Sequence, residues 1–141
     1  MPYTSLYVHA IWTTKNREKI ITPALKKELL KFITSYAKEK EMHPDAINCV
    51  ADHIHILLSL KPDHSPANAI GLIKGASSFW VNKNKLLPHK FEWQDDYMGF
   101  SVSLSSLDKV RKYIANQEVH HAKKTFAQEY KEFLKAHGLG E

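Results

Sequence analysis

Asp52-His53-Ile54-His55-Ile56-Leu57-Leu58-Ser59-Leu60 is the stretch that decides how this chain folds. At a period of two, Ile54, Ile56, Leu58 and Leu60 share one face, and His53, His55, Leu57 and Ser59 share the other. That pattern describes a half-buried strand with two imidazoles on its less apolar side. Same-face neighbours on a strand lie roughly 7 Å apart, so both rings can lean onto one metal ion. The alternative is a pair of partly exposed histidines with no task. A His-x-His triplet is too short to choose between the two, and a metal site needs further ligands from another element.

On the N-terminal side, Ala46 to Val50 reads as a strand, and Ala51-Asp52 is a tight connection, so the two strands form an antiparallel hairpin. Further upstream, Tyr3 to Thr14 alternates, with Leu6, Val8, Ala10 and Trp12 against Tyr7, His9, Ile11 and Thr13. His9 lies on a face that can join the histidine pair, although a lone strand histidine is ordinarily packed or solvated. Thr22-Pro23 starts a helix, a capping hydroxyl followed by proline at the first helical position. Leu25, Leu29, Phe32, Ile33 and Tyr36 follow helical spacing, and His43-Pro44 ends the run.

On the C-terminal side, Ser65-Pro66 opens a second helix with Ile70, Ile73, Ser77 and Trp80 as its inner stripe. Lys74 stands one position off that stripe, either reaching a phosphate or simply solvated. Residues 82–96 form a long basic loop in which Trp93 is placed to stack a base. Tyr97 to Ser103 alternates as a fourth strand. Ser105-Ser106-Leu107-Asp108 resembles a capping box that launches a third helix, and Thr125-x-x-Gln128 repeats the device for a last one carrying Phe126, Tyr130, Phe133 and Leu134. That last helix closes near Gly138.

Strand, helix, strand, strand, helix, strand and then two helices predict an α+β fold. It is a ferredoxin-like βαββαβ sandwich with an antiparallel sheet over about residues 3–104, plus two C-terminal helices over about 106–138. At 141 residues the whole is expected to be one domain with a substantial core. The helices cover the isoleucine face, which leaves His53 and His55 on the bare face. A bare face needs a cover, and the helix after residue 106, from this chain or a partner, is the candidate.

Hydrophobic residues are 43% and charged residues 25% of the chain, which argues against disorder. A net charge of +5, with 20 Lys and Arg against 15 Asp and Glu, favours anionic partners, nucleic acid first. The single Cys49 excludes an internal disulfide and suits a reducing compartment. No signal segment is seen and the longest apolar run is far too short to span a bilayer, so the expectation is a cytoplasmic, nucleoid-associated protein with no membrane partner.

Within the third helix, Tyr113-Ile114-Ala115-Asn116-Gln117 places a phenol and an amide four residues apart on one helical face. They can act together, the amide oxygen as a hard ligand and the phenol as nucleophile. Alternatively Tyr113 packs beside Val110 and Ile114 while Gln117 is a surface amide.

His53-Ile54-His55, the later Tyr113-x-x-x-Gln117 helix and the stretch Trp93 to Ser103 together resemble the IS200/IS605-type single-tyrosine transposases, of the histidine–hydrophobic–histidine (HUH, Y1) group. The resemblance runs from about Leu6 to His137 and includes element order and the Tyr-Ile-x-Asn-Gln run followed by His120-His121. It implies that His53, His55 and Gln117 ligate a metal, Mg²⁺ or Mn²⁺, and that Tyr113 is the catalytic nucleophile. It further implies cleavage and rejoining of single-stranded DNA through a 5′-phosphotyrosine intermediate, recognition of hairpins at element ends, and a homodimer in which the tyrosine helix can complete the other subunit's site. Two imidazoles and an amide are softer than the all-oxygen shell magnesium prefers, which favours manganese as the stronger binder. The REP-associated tyrosine transposases share these motifs, so a domesticated, non-mobile endonuclease is a second reading. A non-catalytic nucleic-acid-binding module and a structural zinc site are the others. Lys15, Arg17, Lys83, Lys85, Lys90, Lys109, Arg111, Lys112, Lys123 and Lys124 are the cations available to a DNA strand.

Overall fold

The computed structural model describes residues 3–117 and 125–136, with side chains described to residue 132. Four strands, β1 (Tyr7–Thr13), β2 (His43–Val50), β3 (His53–Ser59) and β4 (Met98–Val102), form one sheet in the order β2-β3-β1-β4. Every neighbouring pair is antiparallel. Helices α1 (Pro23–Glu39) and α2 (Pro66–Lys83) supply the crossovers, completing the expected ferredoxin-like α+β arrangement. Helices α3 (Leu107–Ala115) and α4 (Phe126–Ala136) follow β4.

Both crossover helices begin as the sequence dictates. Thr22 Oγ1 accepts from the Leu25 amide at 3.2 Å, and Ser65 Oγ accepts from the Asn68 amide at 3.0 Å, each with proline next in line. The periodicity of α1 buries Leu25, Leu29, Ile33 and Ala37 against Ile54, Ile56 and Leu58 of β3. Phe32 stacks on Trp80 of α2 with ring centroids 4.6 Å apart, locking the two helices together. Leu29 is fully buried in this core. Leu29→Ala is expected to cost about 2–5 kcal/mol of stability, read as a lowered urea midpoint with an unchanged slope.

Four local expectations are corrected. β2 starts at His43 rather than Ala46, with a register shift between Pro44 and Ala46. β2 is an edge strand, where a missing amide donor breaks no ladder, so proline is tolerated there. The Ser105 capping box does not form: residues Leu104–Ser106 make a 3-10 turn, Ser103 Oγ engages Ser105 and Ser106, and α3 starts with no side-chain cap. Trp93 does not offer itself to a base. It is buried against Trp12 and Phe91, its indole nitrogen donating to Ser77 Oγ at 2.8 Å. Lys74 is not a free surface charge, because its ammonium donates to the carbonyls of Gln94, Asp95 and Asp96 and so fixes the path of the loop. The Thr125-Gln128 box does form, with reciprocal bonds of 2.9 and 3.2 Å. Phe133 and Leu134 side chains, Gly138, His120, His121, Lys123 and Lys124 lie outside the described residues.

The second sheet face is covered. Leu57 packs with Leu107 and Ile114 of α3, flanked by Tyr7, Ala46, Val102 and Val110. Two polar ties fix α3 there. Arg111 bonds Asp45 of β2 and Asp108, both at 2.6 Å, and Asn48 Nδ2 donates to the Ile114 and Ala115 carbonyls at 2.9 and 3.3 Å. An amide donating to the last carbonyls of a helix supplies partners that the helix itself cannot. Among the described residues no helix is long and apolar enough to cross a membrane.

Candidate active site

Strand alternation sends His53 and His55 to the face covered by α3 and α4, and both are completely buried. They are therefore not the partly exposed pair that the strand alone would allow. Their ring centroids are 5.3 Å apart. Each ring is oriented through its Nδ1. His53 Nδ1–H donates to Asp52 Oδ1 at 2.8 Å, and His55 Nδ1 lies 2.9 Å from His9 Nε2, bonded in one of two tautomeric senses. Both Nε2 atoms then turn toward a common point. Outer partners of this kind fix tautomer and ring direction in metal-binding histidines.

At that point stands Glu129 of α4, almost completely buried. Its Oε1 is 3.0 Å from His55 Nε2 and 3.4 Å from His53 Nε2. Its Oε2 accepts a hydrogen bond from the Tyr113 hydroxyl. One carboxylate thus joins the imidazole pair to the phenol. One ligand atom from each of His53, His55 and Glu129 can be chosen so that all lie within 4.8 Å of one another. Tyr113 also meets the histidines edge-on, its ring centroid 5.7 Å from His55 and 6.2 Å from His9. Gln117 is fully buried just past the end of α3; its Nε2 donates to the Tyr113 carbonyl at 3.2 Å, and its Oε1 has no hydrogen-bond partner among the described residues.

The electrostatics follow from this packing. Burial works against the charged form of His53, but the Asp52 and Glu129 carboxylates together outweigh it and hold the imidazole above its ordinary pKa. Burial, then the adjacent Glu129 carboxylate, push the Tyr113 phenol well above its usual range.

Of the four residues singled out from sequence, His53, His55 and Tyr113 are brought into one cluster within a single chain. Gln117 lies beside them, bonded to the backbone of Tyr113. Glu129 was missed, yet it left a trace. Phe126, Glu129, Tyr130 and Phe133 have the i, i+3, i+4, i+7 spacing of a buried stripe, and a carboxylate on such a stripe demands a partner. His9 was noted only as a possible companion. It holds the outer nitrogen of His55, so His9→Ala is expected to weaken Mn²⁺ binding by roughly 10- to 100-fold in a calorimetric titration while the chain stays folded.

Residues 2–117 match a family model described as "Transposase IS200 like". The chain is 25% identical over 118 residues to the ISDra2 transposase TnpA of Deinococcus radiodurans, covering 79% of this chain and 84% of that protein. Among solved structures it is similar to a Deinococcus radiodurans chain described as a transposase, with a TM-score of 0.64 at 26% identity, over 82% of this chain and 93% of that one. It also shares the fold of a REP-associated tyrosine transposase bound to a REP hairpin, with a TM-score of 0.66 at 15% identity, over 86% and 72% of the two chains.

Proposed function

Because the chain belongs to the IS200-like transposase family, we propose that it cuts and rejoins single-stranded DNA through a covalent bond between Tyr113 and a DNA phosphate. The observation that carries this reading is the meeting of a phenol, two oriented imidazoles and a carboxylate in one buried cluster.

The donor set suits a divalent cation. His53 and His55 present Nε2 atoms, Glu129 adds an anionic oxygen, and the buried Gln117 Oε1, unpartnered among the described residues, is the kind of atom a cation satisfies. The carboxylate also eases the mismatch between a soft imidazole pair and a hard ion, so that Mg²⁺ and Mn²⁺ are both suitable. When bound, such an ion polarises the scissile phosphate and neutralises charge building on it.

The chain's own residues do the rest. At neutral pH only about a thousandth of free tyrosine is phenolate, and burial lowers that fraction further here. Glu129 Oε2 already accepts the hydrogen bond of the phenol and is placed to take its proton. Tyr113 Oη then attacks phosphorus, the new O–P bond forms as the P–O3′ bond breaks, and the departing 3′ oxygen takes up a proton. The 5′ end stays attached to Tyr113, and a 3′-hydroxyl from another strand end can reverse the step. Asp52 and His9 keep the imidazoles aimed throughout.

Within this reading the chain is one catalytic domain, active as a homodimer on strands that carry hairpins, and each tyrosine serves the imidazoles of its own chain. The hairpin bound to the REP-associated neighbour supports that substrate form, and it also favours a non-mobile, REP-associated endonuclease as the second reading. The test is incubation of the full chain with Mn²⁺ and end-labelled single strands bearing hairpins, followed by denaturing electrophoresis. A labelled band that survives denaturation and disappears with protease is expected. Its absence across a hairpin library would overturn the proposal.

A further inference from the structure

Beside the cation cluster, on the same sheet face, lies a cleft of about 590 Å³. The strand register places it. Thr13 and Ile11, which line the cleft, pair directly with His53 and His55. Phe126 also lines it and touches the His53 ring, with centroids 4.7 Å apart. Helix α4 therefore presents Glu129 to the imidazoles while Phe126 and Tyr130, three residues before and one after, face the neighbouring space.

The lining suits a nucleobase. Tyr97 and Tyr130 are 40% and 41% exposed, so part of each ring is open beside the cleft they line. The Arg17 guanidinium sits 5.2 Å above the Phe126 ring. Asn16 and Arg17 both hold left-handed backbone, at φ 58° and 54°, which is uncommon for an arginine and turns this short loop back over the cleft. Gln94 at the rim accepts from the Asn16 amide at 3.2 Å, which ties the loop to the segment before β4 and leaves polar groups at the edge. Aromatic faces, a cation and polar edges form the usual platform for an unstacked base.

We propose that this cleft is a base-binding pocket for the unpaired nucleotide next to the scissile phosphate, with Tyr130, Tyr97 and Arg17 as the stacking groups. The proposal rests on the DNA-cleaving reading and deepens it. Specificity at the cut would then come in part from the protein. A base held in a duplex cannot enter, so the pocket also selects for single strands.

The probes are the four deoxynucleoside 5′-monophosphates and deoxyribose 5-phosphate, titrated into the full chain with Mn²⁺ and followed by calorimetry. At least one nucleotide is expected to bind about tenfold or more tightly than the baseless sugar phosphate. Tyr130→Ala, at an exposed position, should remove most of that difference while leaving sugar phosphate binding unchanged, and Arg17→Asn should weaken nucleotide binding more than sugar phosphate binding. Arg17→Asn keeps a residue that tolerates left-handed backbone. Equal binding of all five probes, or a nucleotide preference untouched in both variants, would overturn the pocket. A missing protein–DNA adduct with the base preference intact would instead count against the cleavage reading.

Discussion

Tyr113→Phe is expected to abolish the protein–DNA adduct, lowering its formation by roughly 10⁴-fold or more, the scale on which a covalent catalyst loses activity with its nucleophile. The change removes one oxygen and little else. The ring keeps its edge contacts with His55 and His9, and α3 keeps its ties through Arg111 and Asn48. What disappears is the hydroxyl that bonds Glu129 Oε2 and the Gln117 side chain. Tyr113 itself is only partly buried, so the stability cost should be about 1 kcal/mol, measured by urea denaturation. Mn²⁺ affinity should persist, since the phenol is not in the proposed ligand set. An adduct that forms at the wild-type rate in the variant would show that another side chain is the nucleophile.

Glu129→Gln is the second large effect. The amide is nearly isosteric but brings no negative charge to the imidazole pair, and Mn²⁺ affinity is expected to fall by about 100-fold or more, toward the upper end of what ligand-shell changes do. A ligand present at 100 times its Kd stabilises the fold by about 2.7 kcal/mol, so the rise in Tm that Mn²⁺ gives the wild type should almost vanish in the variant at the same concentration. Without metal, the effect has a pH sign. Glu129 is one of the groups raising His53, and a raised folded pKa contributes stability present in acid and lost as pH climbs through it. Glu129→Gln should therefore destabilise the metal-free chain more at acidic than at alkaline pH. Equal Mn²⁺ stabilisation in both proteins would remove Glu129 from the ligand set.

How far the sequence reaches is clearest at β3. Its period-two pattern, the two-residue turn before it and the proline-led starts of α1 and α2 are local signals, and each is realised locally. From them follow the sheet, its covered face and the placement of His53 and His55. Tyr113 was legible because a phenol and an amide four residues apart must share a helical side. Trp93 was misread because loop composition does not say which apolar side chain turns inward; that was decided by Ser77, sixteen residues earlier, which offers the indole a partner. Pro44 reads as a helix stop, yet α1 already ends at Glu39 and Pro44 lies within an edge strand, a position that emerges only from the strand order. Glu129 was hidden for a similar reason. Its partners lie 74 and 76 residues away in sequence, so no local window contains them.

The Asn48 and Arg111 ties have a consequence for any exchange of arms between subunits. Asn48 is paired in register with His55, and its amide grips the last carbonyls of the helix that bears Tyr113. Arg111 clasps the same helix to Asp45 from one turn earlier. To lend its tyrosine to a partner, a chain must first open this two-point latch, and the bonds surrendered are regained only if the partner's hairpin offers the same grip. In the proposed homodimer, the hairpin that aims one imidazole would thus also meter how freely Tyr113 can change allegiance.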